Sequence, residues 1–141
     1  AKSPANPQYL RIGALSDMMV GEFDKAIEKY LVALTVEPPN QNSLSNMGYA
    51  YWEKGEYRLA LSYFERALEM GTESLAVNLG LVLSYDALNQ QKALAEAKER
   101  ILLLNPDIED FGSELGELQK KGYLFTPKQL SRLQKIFENQ Q

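Results

Sequence analysis

The sequence repeats a pattern of small and aromatic residues at a constant interval of 34 positions. In the first copy these residues are Gly21, Phe23, Ala26, Tyr30, Ala33 and Leu34, and in the second they are Gly55, Tyr57, Ala60, Phe64, Ala67 and Leu68. A fixed period of this length predicts a stacked array of helical hairpins. Because a single hairpin cannot bury its apolar face alone, we expect neighbouring hairpins to stack into a curved rod with an extended inner surface.

Three hairpin units are predicted, at residues 7–40, 41–74 and 75–106. Apolar or small residues recur at steps of three and four along each helix, which indicates one buried face per helix. Gly21 and Gly55 stand where the chain must turn tightly between the two helices of a unit. Pro38 and Pro39 are predicted to end the first unit, because proline cannot continue a helix.

The third unit is a degenerate copy of the other two. Gly80 stands only 32 positions after Gly48, so the pattern predicts a shift of up to two residues in register. Asn89 takes the place of the turn glycine, which asparagine tolerates because it visits the left-handed region more readily than most residues. The bulky aromatic of the earlier units is replaced by Ala97 or Lys98, depending on register. We therefore expect looser packing at this position.

Residues 107–141 are predicted to form one further helical hairpin, which caps the end of the rod or represents a decayed fourth repeat. Asp107 is placed to cap the first helix of this pair, which is predicted to end at residues 120–122. Thr126 and Gln129 have the spacing of a capping box, with a proline at the first helical position.

The polar segment 1–6 is predicted to be disordered or a processed terminus, and a signal peptide or anchor upstream of Ala1 would lie outside the sequence. No apolar run approaches the roughly 20 residues that span a bilayer, so the sequence does not predict direct membrane insertion of this segment. Absence of cysteine is compatible with either a cytoplasmic or a periplasmic location.

Composition excludes several classes of function. The net charge of -4 offers no basic face for phosphates, so nucleic acid is not a predicted partner. The chain contains neither cysteine nor histidine, which removes thiolate nucleophiles, the commonest general base and the commonest ligands of transition metals. We therefore predict no enzyme activity, no cofactor and no metal site.

The glycine, alanine, aromatic and proline positions of residues 7–106 resemble the tetratricopeptide-repeat (TPR) family. The resemblance implies an all-α fold, an α–α superhelix of about eight antiparallel helices in stacked hairpins. The first unit departs from the family pattern at Leu10, where the family often has tryptophan, and at Asp17, where it often has tyrosine. Such departures are common at the end of an array, where less surface needs covering.

In the TPR family the first helix of each hairpin lines the concave face, which implies a groove for a partner. The residues predicted to line this groove are Arg11, Leu15, Met18, Asn42, Asn46, Tyr49, Trp52, Glu53, Asn78 and Leu81. Those of the second unit follow steps of three, four and seven, which place them on one side of a helix. The two from the third unit depend on the shortened step between Gly48 and Gly80.

Structural roles compete with binding at several of these positions. Leu15 and Met18 are equally compatible with core contacts, because methionine commonly fills irregular gaps. Trp52, the only tryptophan, has an alternative role as a contact for the tail helices. Asn46 and Asn78 are also compatible with ordinary polar surface.

One known TPR ligand is not predicted here. Family members that bind the acidic C-terminal tails of heat-shock chaperones use a clamp of lysine, arginine and asparagine. Arg11 and Asn46 stand near suitable places, but Leu15 occupies the position of the first asparagine, and Ser74 and Asn78 replace two cations. Because two carboxylates need charge-assisted donors, we reject a chaperone tail as the partner.

The leading hypothesis is a non-catalytic adaptor that binds a peptide or helix of a partner protein in the concave groove. The resemblance suggests assembly of a bacterial secretion, pilus or other multiprotein complex as its setting. The alternative is a self-assembling scaffold whose partner is another copy of itself, which makes a homo-oligomer.

Overall fold

The computed structural model describes residues 6–108, 110–120 and 125–138. Within these ranges the chain forms eight α-helices and no strand, which confirms the predicted all-α fold. The helices are α1 (Pro7–Met19), α2 (Phe23–Ala33), α3 (Gln41–Glu53), α4 (Tyr57–Glu69), α5 (Leu75–Ala87), α6 (Gln91–Leu104), α7 (Phe111–Lys120) and α8 (Pro127–Glu138). The segment 1–5 and the predicted helix end at residues 121–122 lie outside the described residues.

The first six helices keep one constant register. The first helices of the three hairpins begin at Pro7, Gln41 and Leu75, and the second helices at Phe23, Tyr57 and Gln91. Each start follows the previous one by the full period of the sequence repeat, so the predicted two-residue shift in the third hairpin is wrong. The glycine that suggested the shift, Gly80, is not the counterpart of Gly48. It is the counterpart of Asn46.

The three hairpin turns are alike in geometry. Gly21, Gly55 and Asn89 have φ angles of 82°, 80° and 57°, so all three lie in the left-handed region and the expected role of Asn89 is confirmed. After each of them, the next amide donates to a carbonyl five residues back. These bonds run from Glu22 to Asp17 (2.7 Å), Glu56 to Tyr51 (2.9 Å) and Gln90 to Tyr85 (2.9 Å). This pattern is the Schellman motif, which closes the C-terminus of a helix.

Short polar side chains cap the first helices of the three hairpins, and they recur with the same period as the helices. Asn40 Oδ1 accepts from the Ser43 amide at 2.8 Å, and Ser74 Oγ accepts from the Val77 amide at 3.3 Å. Asn6 serves α1 in the same way, so this residue of the polar N-terminal segment is the N-cap of a helix.

Phe64 fills the contact between the second and third hairpins. Its ring is fully buried against two glycines, Gly48 of α3 and Gly80 of α5. A Cβ added at Gly48 would lie 2.8 Å from the ring, and one added at Gly80 only 2.1 Å. The missing side chains are therefore what allows three helices to close around one aromatic ring.

The tail helices cover the position where the third hairpin lacks an aromatic residue. Lys98, the counterpart of Phe64, donates from its ammonium to the Ile136 carbonyl at 3.1 Å and lies 5.7 Å from the centre of the Phe137 ring. Burial lowers the pKa of the Lys98 amine. Ala97 is only 1% exposed, so α8 supplies the packing that the repeat itself lacks here.

Local hydrogen bonds set where the tail helices begin. Asp110, rather than the predicted Asp107, caps α7: its carboxylate accepts from the amide and the hydroxyl of Ser113 at 3.3 and 2.7 Å. At α8 the predicted capping box forms, because the Thr126 amide donates to Gln129 Oε1 (3.0 Å) and the Gln129 amide donates to Thr126 Oγ1 (3.1 Å). Arg132 on α8 then joins the tail to α5 through Asp86, with bonds of 2.6 and 2.7 Å.

Candidate partner-binding cavity

A cavity of about 750 Å³ lies where the first two hairpins meet the tail. We call it the central cavity. Its lining residues are Leu15, Met18, Met19, Gly21, Phe23, Asn46, Tyr49, Glu53, Ala76, Gln119, Phe125, Thr126, Pro127, Lys128 and Gln129. The volume is within the range of ordinary ligand sites, and the cavity is open to solvent on one side.

The wall from the first hairpin is apolar and adaptable. Leu15, Met18 and Met19 follow one another along the last turns of α1, and Phe23 begins α2. Leu15 is 39% exposed and Met19 is 66% exposed, although both are large apolar side chains. Methionine is flexible and polarisable, so this wall can fit apolar groups of different shapes.

The wall from α3 carries an ordered polar set. Asn46, Tyr49 and Glu53 are spaced by three and four residues, which places them on one face of the helix. The Asn46 Nδ2 donates to the Tyr30 hydroxyl at 3.0 Å. Burial raises the pKa of the Tyr30 phenol, and the hydrogen bond from Asn46 opposes this rise. Asn46 is therefore held in place by the core of the first hairpin.

Tyr49 forms the floor of the central cavity. It is 7% exposed, and its hydroxyl donates to the Ala76 carbonyl of α5 at 2.5 Å. The ring meets Phe64 edge-on at a centroid distance of 4.8 Å, and it meets Phe125 of the tail at 6.2 Å. These contacts fix the ring on both sides, so the floor is rigid.

The third wall comes from the tail, and two side chains secure it. The Gln119 side chain exchanges two bonds with the backbone of Phe125: its Nε2 donates to the carbonyl at 2.7 Å, and its Oε1 accepts from the amide at 2.9 Å. The Thr126 hydroxyl donates to the Glu53 carboxylate on α3. The tail is thereby linked to the same helix that supplies the polar wall.

Gln129 is the least satisfied polar residue of the cavity wall. Its side chain is 1% exposed, and its Oε1 accepts from the Thr126 amide within the capping box. Its Nε2 is buried and has no hydrogen-bond partner.

The charge of the lining is small and balanced. Among the described lining residues the charged side chains are Glu53 and Lys128. Glu53 accepts from Thr126, and the Lys128 ammonium lies 5.3 Å from the centre of the Trp52 ring. The cavity therefore offers apolar surface and amides rather than a cluster of cations.

Five of the ten predicted groove residues line the central cavity: Leu15, Met18, Asn46, Tyr49 and Glu53. Two others lie at the surface but outside it. Arg11 forms an ion pair with Glu37 at the end of the same hairpin, and Asn42 is exposed near the start of α3. Neither is among the residues that line the cavity.

Asn78 and Leu81 lie in the core, not in the groove where the shortened step placed them. Both are 0% exposed. With the constant period that the helices keep, Leu81 corresponds to Met47, a residue of the buried stripe. The Asn78 Nδ2 donates to the carbonyls of Thr72 and Ser74 at 2.9 and 2.8 Å, and its Oδ1 accepts from Arg100 at 2.9 Å.

Trp52 also lies beneath the surface. It is 4% exposed, its Nε1 donates to the Leu83 carbonyl at 3.3 Å, and Lys128 of α8 covers its ring. This arrangement agrees with its alternative role as a contact for the tail helices. The ring is not available to a partner in the groove.

The tail residues of the cavity were not among the predicted site residues. The sequence pattern indicates the capping box, but it does not show which way the box faces. One signal was available: Gln129 stands four residues before Leu133 and seven before Ile136, in the buried stripe of α8. A polar residue in such a stripe needs a partner, so it marks a candidate site.

In the described part of the chain, no group of acidic side chains is placed to hold a metal ion. No helix in these same ranges has the length and apolar character needed to cross a bilayer.

Comparison with known proteins gives consistent results for sequence and for fold. A family model described as tetratricopeptide repeat matches residues 41–71. The relative named Protein CTR9 homolog, from Arabidopsis thaliana, is 30% identical over 122 residues, which cover 84% of this chain and 11% of the relative. The chain thus spans only a small part of that protein's length.

Solved structures share the fold at low sequence identity. The first TPR of Spaghetti (RPAP3), bound to the HSP90 peptide SRMEEVD, is 19% identical with a TM-score of 0.68 and covers 85% of this chain and 98% of that one. MamA from Desulfovibrio magneticus RS-1 is 18% identical with a TM-score of 0.70 and covers 96% of this chain and 77% of that one.

Proposed function

Because this chain belongs to the tetratricopeptide-repeat family, we propose that it is a non-catalytic adaptor that binds a segment of a partner protein in the central cavity. The observation that carries the proposal is the cavity itself, with its exposed apolar wall on α1, its ordered amide on α3 and its third wall from the tail. The similar structure in complex with a chaperone peptide supports the idea that such a fold holds peptides.

The lining favours a neutral, partly apolar segment. Leu15 and Met19 are exposed beside the cavity and would be covered by an apolar side chain of the partner. Burying such groups is worth about 25 cal/mol per Å² of apolar surface removed from water. Asn46 would bind the backbone of the segment, because an amide side chain both donates and accepts.

An acidic chaperone tail does not fit this lining. Leu15 offers no donor, Lys128 is the one cation among the described lining residues, and Arg11 is occupied by Glu37. We expect the peptide SRMEEVD to bind at least tenfold more weakly than a neutral peptide that fills the cavity, because carboxylates need charge-assisted donors. Comparable affinity for the two peptides would contradict this part of the proposal.

The setting we propose is the assembly of a multiprotein complex, such as a bacterial secretion or pilus system. The departures from the chaperone clamp, at Leu15 above all, support such a partner over a chaperone. The check is to capture complex subunits from the source organism with a tagged wild-type chain. The same subunits should not be captured by the cavity variant Leu15→Glu.

Peptide selection with a matched pair of variants tests the adaptor function. Peptides from a random library are selected on the wild-type chain and then measured against Leu15→Glu and Leu59→Glu. Leu15 lines the cavity, while Leu59 is a leucine of similar exposure on α4, 45% against 39%, outside the cavity. We expect Leu15→Glu to weaken binding at least tenfold and Leu59→Glu to leave it unchanged.

Two results would count against the adaptor proposal. One is a library that yields no peptide, and the other is equal binding by both variants. The second result would move the binding surface away from the cavity.

The second candidate, a self-assembling scaffold, is favoured by one observation at the other end of the rod. Tyr9 and Ile12 on α1 are 74% and 56% exposed. Their counterparts in the second hairpin, Ser43 and Asn46, are buried and half-buried, and Asn46 donates to Tyr30 of the first hairpin. This face of α1 therefore has the position of a hairpin-stacking surface, and a second copy could cover it.

Light scattering across a wide range of concentration tests the scaffold. Self-assembly through α1 predicts a mass that rises with concentration in the wild type and stays monomeric in Ile12→Glu. A monomeric wild type at every concentration would reject it and leave the adaptor.

A further inference from the structure

A second cavity, of about 480 Å³, is formed by α8 together with the ends of α3 and α5. We call it the tail pocket. Its lining includes Trp52 and Asp86, and α8 contributes Lys128, Arg132 and Lys135. These three cations follow steps of four and three residues, so they project from one face of the helix. The tail pocket therefore has a local excess of positive charge, although the whole chain has a net charge of -4.

The one carboxylate of this lining holds Arg132 in position. Asp86 accepts from the Arg132 Nε at 2.6 Å and from its Nη2 at 2.7 Å, and the Asp86 side chain is only 15% exposed. The Arg132 side chain is 46% exposed, and a guanidinium carries five N–H donors. Arg132 is thus fixed by Asp86 and still has donors for a ligand.

The two lysines have no acidic partner within the described residues. Both are exposed. The Lys128 ammonium lies 5.3 Å from the centre of the Trp52 ring, a contact that orients the side chain without neutralising its charge. Lys135 makes neither an ion pair nor a hydrogen bond in the described part of the chain. The charge of both lysines is therefore open to an anion from outside.

The spacing of the cations favours a row of carboxylates over a single phosphate. Lys128 and Lys135 are separated by about 10 Å along the helix axis, at a rise of roughly 1.5 Å per residue. A phosphate group is too small to contact both of them. In an extended peptide, alternate side chains on one face lie about 7 Å apart, which suits the roughly 6 Å rise between Lys128 and Arg132.

The tail pocket is continuous with the central cavity at one residue. Lys128 is part of the lining of both. A peptide segment that leaves the central cavity beside Lys128 can therefore continue into the tail pocket.

We infer that the tail pocket binds acidic side chains of the partner segment, directly beside the uncharged part that occupies the central cavity. This inference rests on the proposed adaptor function and adds a second requirement for its ligand. Lys128 and Lys135 each pair with a carboxylate, and Arg132 donates through its remaining N–H groups. The acidic residues lie outside the central cavity, so the preference of that cavity for an uncharged segment is unchanged.

The test extends the neutral peptide that is selected on the wild-type chain and depends on Leu15. One version carries two glutamates separated by a glycine, at either end, and the matched version carries two glutamines instead. The measured quantity is the ratio of the two dissociation constants. We expect the glutamate version to bind about 3- to 10-fold more tightly at one of the two ends, and this gain to shrink at high salt, because the ion pairs are exposed.

Three variants locate the effect. Lys128→Gln and Lys135→Gln should each reduce the ratio by about 2- to 3-fold, the usual effect of one exposed ion pair. Lys120→Gln is the matched control, because it removes the same charge from an exposed position of the tail outside both linings, and it should leave the ratio unchanged. Arg132 is kept, because its bonds to Asp86 join the tail to α5.

The inference and the adaptor proposal fail in different ways. A ratio of one at both ends, or a ratio that Lys128→Gln and Lys135→Gln leave unchanged, would overturn the role of the tail pocket. The adaptor would stand, because the glutamine version still requires Leu15. Loss of the glutamate advantage in inorganic phosphate, but not in chloride of equal ionic strength, would assign the pocket to phosphate and also overturn the inference. A selected peptide that ignores Leu15 would overturn the adaptor proposal instead.

Discussion

The contact between the first and second hairpins and the contact between the second and third hairpins use equivalent positions of the repeat, but different residues occupy those positions. We call these contacts the first and second interfaces. At the first interface Tyr30 packs with Ala14, Ala26 and Met47, and these four residues form a small core cluster of their own. Their counterparts one repeat later are Phe64, Gly48, Ala60 and Leu81. The side chains of Phe64, Ala60 and Leu81 belong to the main core that extends into the tail, and Gly48 lies against the Phe64 ring.

The difference lies at the tip of the aromatic ring. The hydroxyl of Tyr30 meets the amide of Asn46 at 3.0 Å, whereas Phe64 has no hydroxyl and meets Gly80, the counterpart of Asn46. A hydroxyl inside the protein needs a partner, and a ring without one permits closer approach. The same spacing therefore builds a polar contact beside the cavity and a dry contact deeper in the rod.

A second pair of positions shows the same contrast. In the first hairpin Asp17 and Lys29 form an ion pair of 2.7 Å across the two helices. In the second hairpin their counterparts are Tyr51 and Tyr63, whose rings stack at 5.3 Å. The first hairpin thus depends more on polar contacts, and it shares less apolar surface with the rest of the chain.

The largest effect on stability is expected from truncating the aromatic residue at each interface. Phe64→Ala should lower the free energy of unfolding by about 3–5 kcal/mol, because it empties a fully buried site in the main core. Tyr30→Ala should loosen α1 and α2 before the remainder, because its cluster stands apart. Denaturant titration gives the first value, and amide hydrogen exchange shows which helices open.

A uniform loss of amide protection in Tyr30→Ala would contradict this contrast between the two interfaces. If all helices of that variant exchange together, then the two clusters act as one cooperative core.

The next effect tests the close approach at the second interface. Gly80→Ala places a methyl group 2.1 Å from the Phe64 ring, and we expect a loss of about 1–3 kcal/mol from the resulting strain. Gly116→Ala on α7 is the control, because a Cβ there meets nothing within 4 Å. That control should be neutral or stabilising by up to about 1 kcal/mol, since alanine favours helix. Calorimetric unfolding of both variants is the measurement.

Equal stability of the two alanine variants would show that Phe64 can move aside. In that case Gly80 would not be required for the close packing of α5 against Phe64.

The hairpins could be predicted from sequence because their signals are local and repeat. Gly21 and Gly55 mark turns that require positive φ, and Asn89 was recognised by the same reasoning. The register of the third hairpin could not be predicted from glycine spacing. Gly48 and Gly80 are small for the same reason, contact with Phe64, but they approach it from different helices. Only the three-dimensional contact distinguishes the two.

The candidate site was predicted in part for a related reason. Leu15, Asn46 and Tyr49 lie on first helices in register with the repeat, so helical periodicity placed them correctly in the lining. Gln129 and Phe125 come from the tail, which departs from the repeat and folds back over α3 and α5. Contacts between such distant segments leave no periodic trace in the sequence.

The smallest effect concerns the polar contact of the first interface. Tyr30→Phe keeps the buried ring but removes the hydroxyl that accepts from Asn46, and we expect a loss of about 0.5–1.5 kcal/mol. Tyr9→Phe is the control, because Tyr9 is 74% exposed and makes no such bond in the described structure. Denaturant titration at neutral pH should separate the two variants.

Tyr30→Phe is also expected to change how the stability of the fold depends on pH in alkaline solution. Burial raises the pKa of Tyr30 above its ordinary value, so as the pH rises the unfolded chain loses this proton before the folded chain does. The stabilising contribution is complete below the ordinary tyrosine pKa and is lost as the pH rises through the folded value. Tyr30→Phe should therefore flatten part of the alkaline decline in stability, while Tyr51 and Tyr85, whose pKa values are also raised by burial, maintain the rest. An unchanged decline would mean that the Tyr30 phenol has the same pKa in the folded and the unfolded chain.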